Sequence, residues 1–372
     1  MNNIVFDPVV NPKRHFEVLD GLRGIAALGV VLFHFMEIAA PDYRDSFIPH
    51  SYLAVDFFFC LSGFVLAYAY DGRLIQMGKW SFIQRRLIRL QPLVLIGAVI
   101  GLLAFMFDPF SDLIDSFSYW QVILLFLSAC ILIPYPIVPQ RYNNLFHLNP
   151  PTWSLFWEYI ASFIYSIYLA KASKQILWLI VILSAGLLCW ESYRSGYLAV
   201  GFGGDNFWGG GIRLSFSFTA GILLFRTKTF FRQQVPFWAL AAALAAVFFI
   251  PYSEIISPVI DPILVIFYFP FLIALSAGQQ VLSPFIKNTC AWLGDISYPL
   301  YVIHYPFIWV FMSFVEQENP SYNDMAIIIS VGMLLLVFFA YLVLRSLDEP
   351  IRRYLSKRIL KNNAASNARE LS

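Results

Sequence analysis

Residues 20–35 read "DGLRGIAALGVVLFHF". A charged opening turn becomes an apolar helix, with Arg23 at its mouth and His34 eleven positions deeper. Eleven positions is about three helical turns, so both side chains point to one face, and the helical rise puts His34 about 16 Å beyond Arg23. Arg23 alone reads as a basic anchor reaching for lipid headgroups, and His34 alone as a satisfied core histidine. A deep ionisable group on the face of a terminal arginine suggests instead a channel entered from the arginine's side.

The rest of the chain fits that frame. Of 372 residues, 59% are hydrophobic and only 13% charged, with a mean hydropathy of +0.68. A soluble helical protein needs more polar faces than this; the composition indicates an all-α polytopic membrane protein. A net charge of +2 with no basic domain excludes nucleic acid as an expected partner. Cys60, Cys130, Cys189 and Cys290 are scattered, with no metal spacing and no metal expected. The opening "MNNIVFDPVVNPKRHFEVLD" is too polar for a signal peptide, so the first apolar segment is expected to stay as a span, with no soluble domain fused at either end.

Eleven apolar segments run near 22–40, 51–70, 90–107, 118–133, 151–170, 174–190, 210–225, 236–250, 258–276, 292–314 and 324–345. Arg73, Lys79, Arg85, Arg86 and Arg89 in one loop, Arg352, Arg353, Lys357, Arg358 and Lys361 in the tail, and Lys13 and Arg14 near the start assign these regions to the cytoplasm. Both termini inside demands an even number of crossings. The 118–133 segment is short and runs into "PYPIVP", so it is expected to be a re-entrant or partial helix, leaving about ten spans. That choice also puts Lys171, Lys174, Arg226, Lys228, Arg232 and Lys287 inside. The domain reading is a cytoplasmic segment 1–21, a membrane domain 22–347 and a basic amphipathic surface tail 348–372. The stretch 191–209, rich in Gly, Tyr, Phe and Trp, suits an interfacial cap or a sugar-contacting surface.

Other polar residues need a reason. Asp56 lies near the outer end of the second span, with Ser62 and Gly63 central; Gly63 either permits close helix packing or leaves room for a ligand chain. Arg86 and Arg89 share a face, fit to touch headgroups or to clamp phosphates. Glu158 follows Trp153 in "NPPTWSLFWEY" and either joins helices or assists a proton acceptor. Tyr301 and His304 share a face in "ISYPLYVIHYP".

In order, "LDGLRGIAALGVVLFHF", "FFFCLSGF", "RRLIRLQP", "WSLFWE", "ISYPLYVIHYP" and "EPIRRY" resemble the motifs of the membrane-bound acyltransferase 3 family, from about Glu17 to Arg353. The chain looks like a stand-alone form, without the extracytoplasmic esterase-like domain fused in some members. The family's arginine and histidine, ten residues between them, match Arg23 and His34; its arginine pair matches Arg86 and Arg89; its glutamate matches Glu158; its late histidine matches His304. Where the family often has a small or aliphatic residue before the glutamate, this chain has Trp157, expected to reshape the acceptor side.

The resemblance implies transfer of an acyl group, usually acetyl from acetyl-CoA, to a hydroxyl of a carbohydrate or glycolipid acceptor, in a bacterial inner membrane. On that reading His34, oriented by Glu158 or Asp20, is the base or a transient acyl carrier. Arg23, Arg86, Arg89 and Ser62 serve the acyl-CoA donor. Trp153, Tyr301, His304 and Asp56 serve the acceptor. A transporter or flippase explains deep polar residues but not the arginines set beneath a deep histidine. The topology makes its own prediction: reporter fusions after residues 140 and 173 should read outside and inside, and an inside signal at 140 would overturn the re-entrant assignment.

Overall fold

The computed structural model describes residues 15–142, 144–231, 233–280 and 283–370, so Lys13, Arg14 and Arg232 lie outside the described residues. The helices are α1 (Glu17–Ala39), α2 (Ala54–Tyr70), α3 (Leu74–Met77), α4 (Lys79–Met106), α5 (Tyr119–Ile131), α6 (Thr152–Ile167), α7 (Lys174–Ser195) and α8 (Phe207–Thr227). There follow α9 (Phe237–Phe248), α10 (Ser257–Ile263), α11 (Phe269–Ala277), α12 (Pro284–Ile303), α13 (Tyr305–Glu318), α14 (Tyr322–Val343) and α15 (Glu349–Glu370). Among the described residues there is no strand, only one antiparallel bridge between Asn144 and Gly203.

Among the described residues, six helical stretches are long and apolar enough to cross a membrane, or seven if the bent pair α12–α13 is one span. This is fewer than the ten expected. α9 and α6 have only 12 and 16 residues, and Gly, Ser, Thr and Arg213 dilute the apolar character of α8. Two boundaries also move. α1 already begins at Glu17, so the charged opening around Asp20 is helical, and α4 begins at Lys79, so Arg85, Arg86 and Arg89 lie inside a helix. The chain stays helical across residue 347: a π-turn at Leu344–Asp348 joins α14 to α15, where Arg345 and Arg353 pair with Glu349. These i,i+4 pairs support the helix across the junction.

α2 and α8 run parallel in tight register. Asp56 pairs with Arg213 at one end, and Asp71 with Arg226 at the other. Between them the backbones touch: a Cβ on Gly63 would sit 2.0 Å from the Phe218 carbonyl oxygen, and one on Gly221 2.0 Å from that of Cys60. Gly63 thus serves helix packing and leaves no room for a ligand chain. Arg226 also takes the carbonyls of Leu169, Ala170 and Ala172, tying down the turn that follows α6.

α1 and α12 also run parallel, since Gly21 meets Cys290, Gly24 meets Leu293, and His34 stacks on His304. The chain bends by 51° between α12 and α13. Pro306 has no N–H to offer the Val302 carbonyl, which accepts from Asn149 Nδ2 at 2.7 Å instead. The bend leaves His304 at the break.

α5 goes in and comes back. Phe117 before it and His147 after it both pack on the Phe105 ring, while the Cys130 carbonyl accepts from Gln91 Nε2 at 2.7 Å. Gln91 precedes Phe105 by fourteen residues of α4, about 21 Å along the axis. The returning loop joins the 197–206 loop through Leu145 N–H and the Phe202 carbonyl at 3.0 Å.

The α2–α8 contact yields a stability prediction. Gly63→Val should lower stability by about 1–3 kcal/mol through overpacking, read as a lower melting temperature in detergent. Gly72→Ala, with nothing within 4 Å of its Cβ position, should melt as the parent does.

Candidate active site

The two ends of α1 face different surroundings. At its N-terminal end Arg23 is largely committed. Its Nε donates to Ser297 Oγ at 2.9 Å, and its Nη2 reaches the Gly294 carbonyl at 2.8 Å and Asp20 at 3.1 Å. Arg86 is buried and donates to Glu158 and to Ser162 Oγ; Ser62 Oγ also donates to Glu158, at 2.9 Å. Ser62, Arg86 and Glu158 are thus one knot joining α2, α4 and α6. Arg89 is exposed, has no hydrogen-bond or salt-bridge partner among the described residues, and lies within the electrostatic reach of Arg86, Arg23 and Glu158. Of the three expected phosphate-binding arginines, Arg89 alone has its whole fork uncommitted, because folding uses the buried Arg86 to pair with the half-buried Glu158 carboxylate.

At the other end of α1 a cavity of about 1060 Å³ opens among the loops. His34 and Glu37 line it, with Tyr43, Tyr52, Trp153, Tyr197, Arg213, Tyr252, Tyr301 and Tyr305. His34 Nδ1 lies 2.6 Å from Glu37 Oε2. An ionised carboxylate only accepts, so Nδ1 carries the proton and Nε2 is left as an acceptor. The other Glu37 oxygen accepts from Tyr43 Oη at 2.8 Å. Burial, and then the Glu37 charge, push the Tyr43 phenol well above its usual pKa, so it stays a donor. Neither Asp20 nor Glu158 orients His34. Asp20 sits on Arg23, about four turns from His34 on the same helix, and Glu158 is held by Arg86.

The residues expected on the acceptor side divide. Trp153 and Tyr301 line the cavity, and Tyr301 Oη bonds Ser154 Oγ at 2.7 Å. His304 lies behind His34, rings stacked at 5.4 Å, its Nδ1 on the Leu300 carbonyl at 3.1 Å. Asp56 is wholly buried and holds Arg213, which also meets the carbonyls of Val200 and Tyr52 and lies 5.3 Å from the Trp153 ring. Trp157 does not shape the cavity. It packs on Gly210 and Gly211 of α8, which have no side chains to displace it. The 191–209 stretch does reach the cavity, through Tyr197, Ala199, Phe202, Gly204, Asp205 and Asn206.

Glu37, Tyr43, Tyr52 and Arg213 were not singled out from the sequence. Glu37 had a signal, a carboxylate three residues after a deep histidine. Arg213 had one too, a charge inside "GGGIRLSFSF". Tyr43 and Tyr52 had none, because tyrosine is common at membrane interfaces. No group of three or more His, Cys, Asp or Glu able to hold a metal occurs among the described residues.

Comparison with known proteins adds two findings. The family model for the acyltransferase domain of the acyltransferase 3 type matches residues 16–345. A curated relative, "Protein 2 in picA locus" from Rhizobium radiobacter, is 32% identical over 189 residues, covering 48% of this chain and 95% of that protein. No solved structure matches.

The Asp56–Arg213 pair yields the next prediction. Asp56→Asn leaves a buried guanidinium without its counter-charge and should cost about 3–5 kcal/mol, seen as a large drop in melting temperature. Replacing both partners, with Asp56→Asn and Arg213→Met, should recover much of that loss.

Proposed function

The chain belongs to the acyltransferase 3 family, and on that premise we propose that it moves an acyl group, acetyl from acetyl-CoA, onto a hydroxyl of a carbohydrate or glycolipid. The observation that carries this reading is the single helix α1. It presents a histidine with a free Nε2 to a large loop-lined cavity, and an arginine at its opposite end beside the uncommitted Arg89.

Arg89, with what remains free of Arg23, takes the phosphates of the donor, where guanidinium forks fit well. The thioester is brought toward His34 along α1. The acceptor enters the cavity, whose tyrosines and Trp153 suit the apolar faces of sugar rings while the polar lining suits their hydroxyls. His34 Nε2 takes the hydroxyl proton as the acceptor oxygen bonds to the acyl carbon. The carbon–sulfur bond then breaks, and the proton on Nε2 passes to the leaving thiolate, which departs as the thiol.

The enzyme resides in a bacterial inner membrane, with the arginine face toward the cytoplasm. Ten segments cross, α12–α13 counting as one, and α5 turns back. The parallel pairings of α2 with α8 and of α1 with α12 support this path. Each needs an odd number of crossings in between, which follows if α5 does not cross and α6, α8 and α9 do.

Two variants test the reading. His34→Ala should abolish transfer from labelled acetyl-CoA in a protein that still folds; undiminished turnover would overturn it. Arg89→Ala should raise the KM for acetyl-CoA about tenfold, the loss of one charge-assisted contact of about 1.4 kcal/mol, with kcat little changed. An unchanged KM would move the donor site elsewhere.

A further inference from the structure

A histidine that accepts a proton through Nε2 must be held in one tautomer and one ring orientation, and the group on Nδ1 sets both. Glu37 alone among the carboxylates touches that nitrogen, at 2.6 Å. Its second oxygen is held from the far side by Tyr43 Oη at 2.8 Å. Tyr43 is itself part of the cavity wall. Its ring stacks on Tyr52 at 6.2 Å and meets Tyr197 and Tyr252 edge-on at 5.9 and 5.6 Å. Tyr52 is anchored in turn, donating to Asp261 Oδ2 at 2.8 Å. Against the imidazole itself, His304 stacks at 18° and Tyr305 meets it edge-on at 4.7 Å. The ring is therefore packed but not hydrogen-bonded by these aromatic neighbours, and Glu37 supplies its one hydrogen bond among the described residues.

We propose that Glu37 is the positioning residue of the transfer reaction, holding His34 Nδ1–H so that Nε2 is the basic nitrogen, and that Tyr43 ties this hold to the wall that receives the acceptor. The inference rests on the acyl-transfer reading and on His34 as the base. When Nε2 gains the acceptor proton, the Nδ1–H···carboxylate bond becomes one between two charged groups, which strengthens it as the reaction proceeds. The proton stays on the imidazole and Glu37 stays ionised throughout. Through Tyr43, a sugar that settles against the tyrosine wall also settles the carboxylate that aims the base.

The test uses the full-length protein in inverted membrane vesicles of the native host, which contain the acceptor, with labelled acetyl-CoA as the probe. Glu37→Gln should lower kcat about 100-fold or more, the range of a mispositioned acid–base group, with the KM for acetyl-CoA unchanged. Glu37→Asp, which keeps the carboxylate on a shorter stem, should recover at least a tenth of the wild-type kcat, and Tyr43→Phe should lower kcat by a smaller factor than Glu37→Gln. In purified protein labelled with nitrogen-15 histidine, the His34 signals, identified by their loss in His34→Ala, should report Nδ1–H in the wild type and a changed tautomer mixture in Glu37→Gln. Wild-type kcat in Glu37→Gln overturns the proposal. So does a lowered kcat with an unchanged tautomer and no recovery by Glu37→Asp, the pattern of a merely structural tie between α1 and its loop. If His34→Ala loses turnover while Glu37→Gln keeps it, this inference fails alone; if His34→Ala keeps turnover, the underlying reading fails with it.

Discussion

The backbone contact between α2 and α8, clamped at each end by an aspartate–arginine pair, is the constraint on which the rest of the structure hangs. Two helices approach this closely only where small residues face each other, and with buried charges only where each charge has its counterpart. Asp56–Arg213 places a guanidinium in the cavity wall and draws in the carbonyls of Tyr52 and Val200. Asp71–Arg226 gathers the end of α6 and so sets Glu158 over Arg86 and Ser62. One parallel pair thus shapes both ends of the candidate site.

The polar groups in the membrane region fall into two kinds. Some are spent on folding: the Ser62–Arg86–Glu158 knot, the Asp56–Arg213 pair, and most of Arg23. Others keep a free donor, acceptor or charge among the described residues: Arg89, His34 Nε2 and the cavity phenols of Tyr197, Tyr252 and Tyr305. Burying a charge costs enough that a folding role is the first explanation for each one. Chemistry is better sought among the groups that the fold leaves unsatisfied yet accessible. His304 fails on access: its Nδ1 is bound to the Leu300 carbonyl and its Nε2 has no partner among the described residues, but the ring is wholly buried behind His34.

Much of the fold was legible in order. Each apolar segment of the sequence corresponds to a helical element, because a residue's preference for lipid over water is a local property. The shortness of 118–133 and the prolines after it foretold a segment that turns within one half of the domain. The partner of His34 was in plain view and was still misassigned. Glu37 competes with Glu158 and Asp20 in any one-dimensional reading, and only side-chain direction separates them. Trp157 was expected at the acceptor because it precedes a motif glutamate, yet neighbouring helical positions diverge by about 100° and point to different partners. Tyr43, Tyr52, Tyr197 and Tyr252 come from three loops far apart in the chain, and nothing local marks them as one wall.

By itself, then, the sequence determined that this is a helical, multi-pass membrane protein of an acyltransferase family, and that Arg23 and His34 share one face of one helix. Those properties follow from hydropathy, helical periodicity and motif order, which are written along the chain. The tertiary structure decided which charges are consumed and which stay available, which carboxylate meets the histidine, and which aromatic residues enclose the cavity. Those outcomes depend on distances of about 3 Å between residues up to hundreds of positions apart, and only the packing of α1, α2, α8 and α12 brings them into contact.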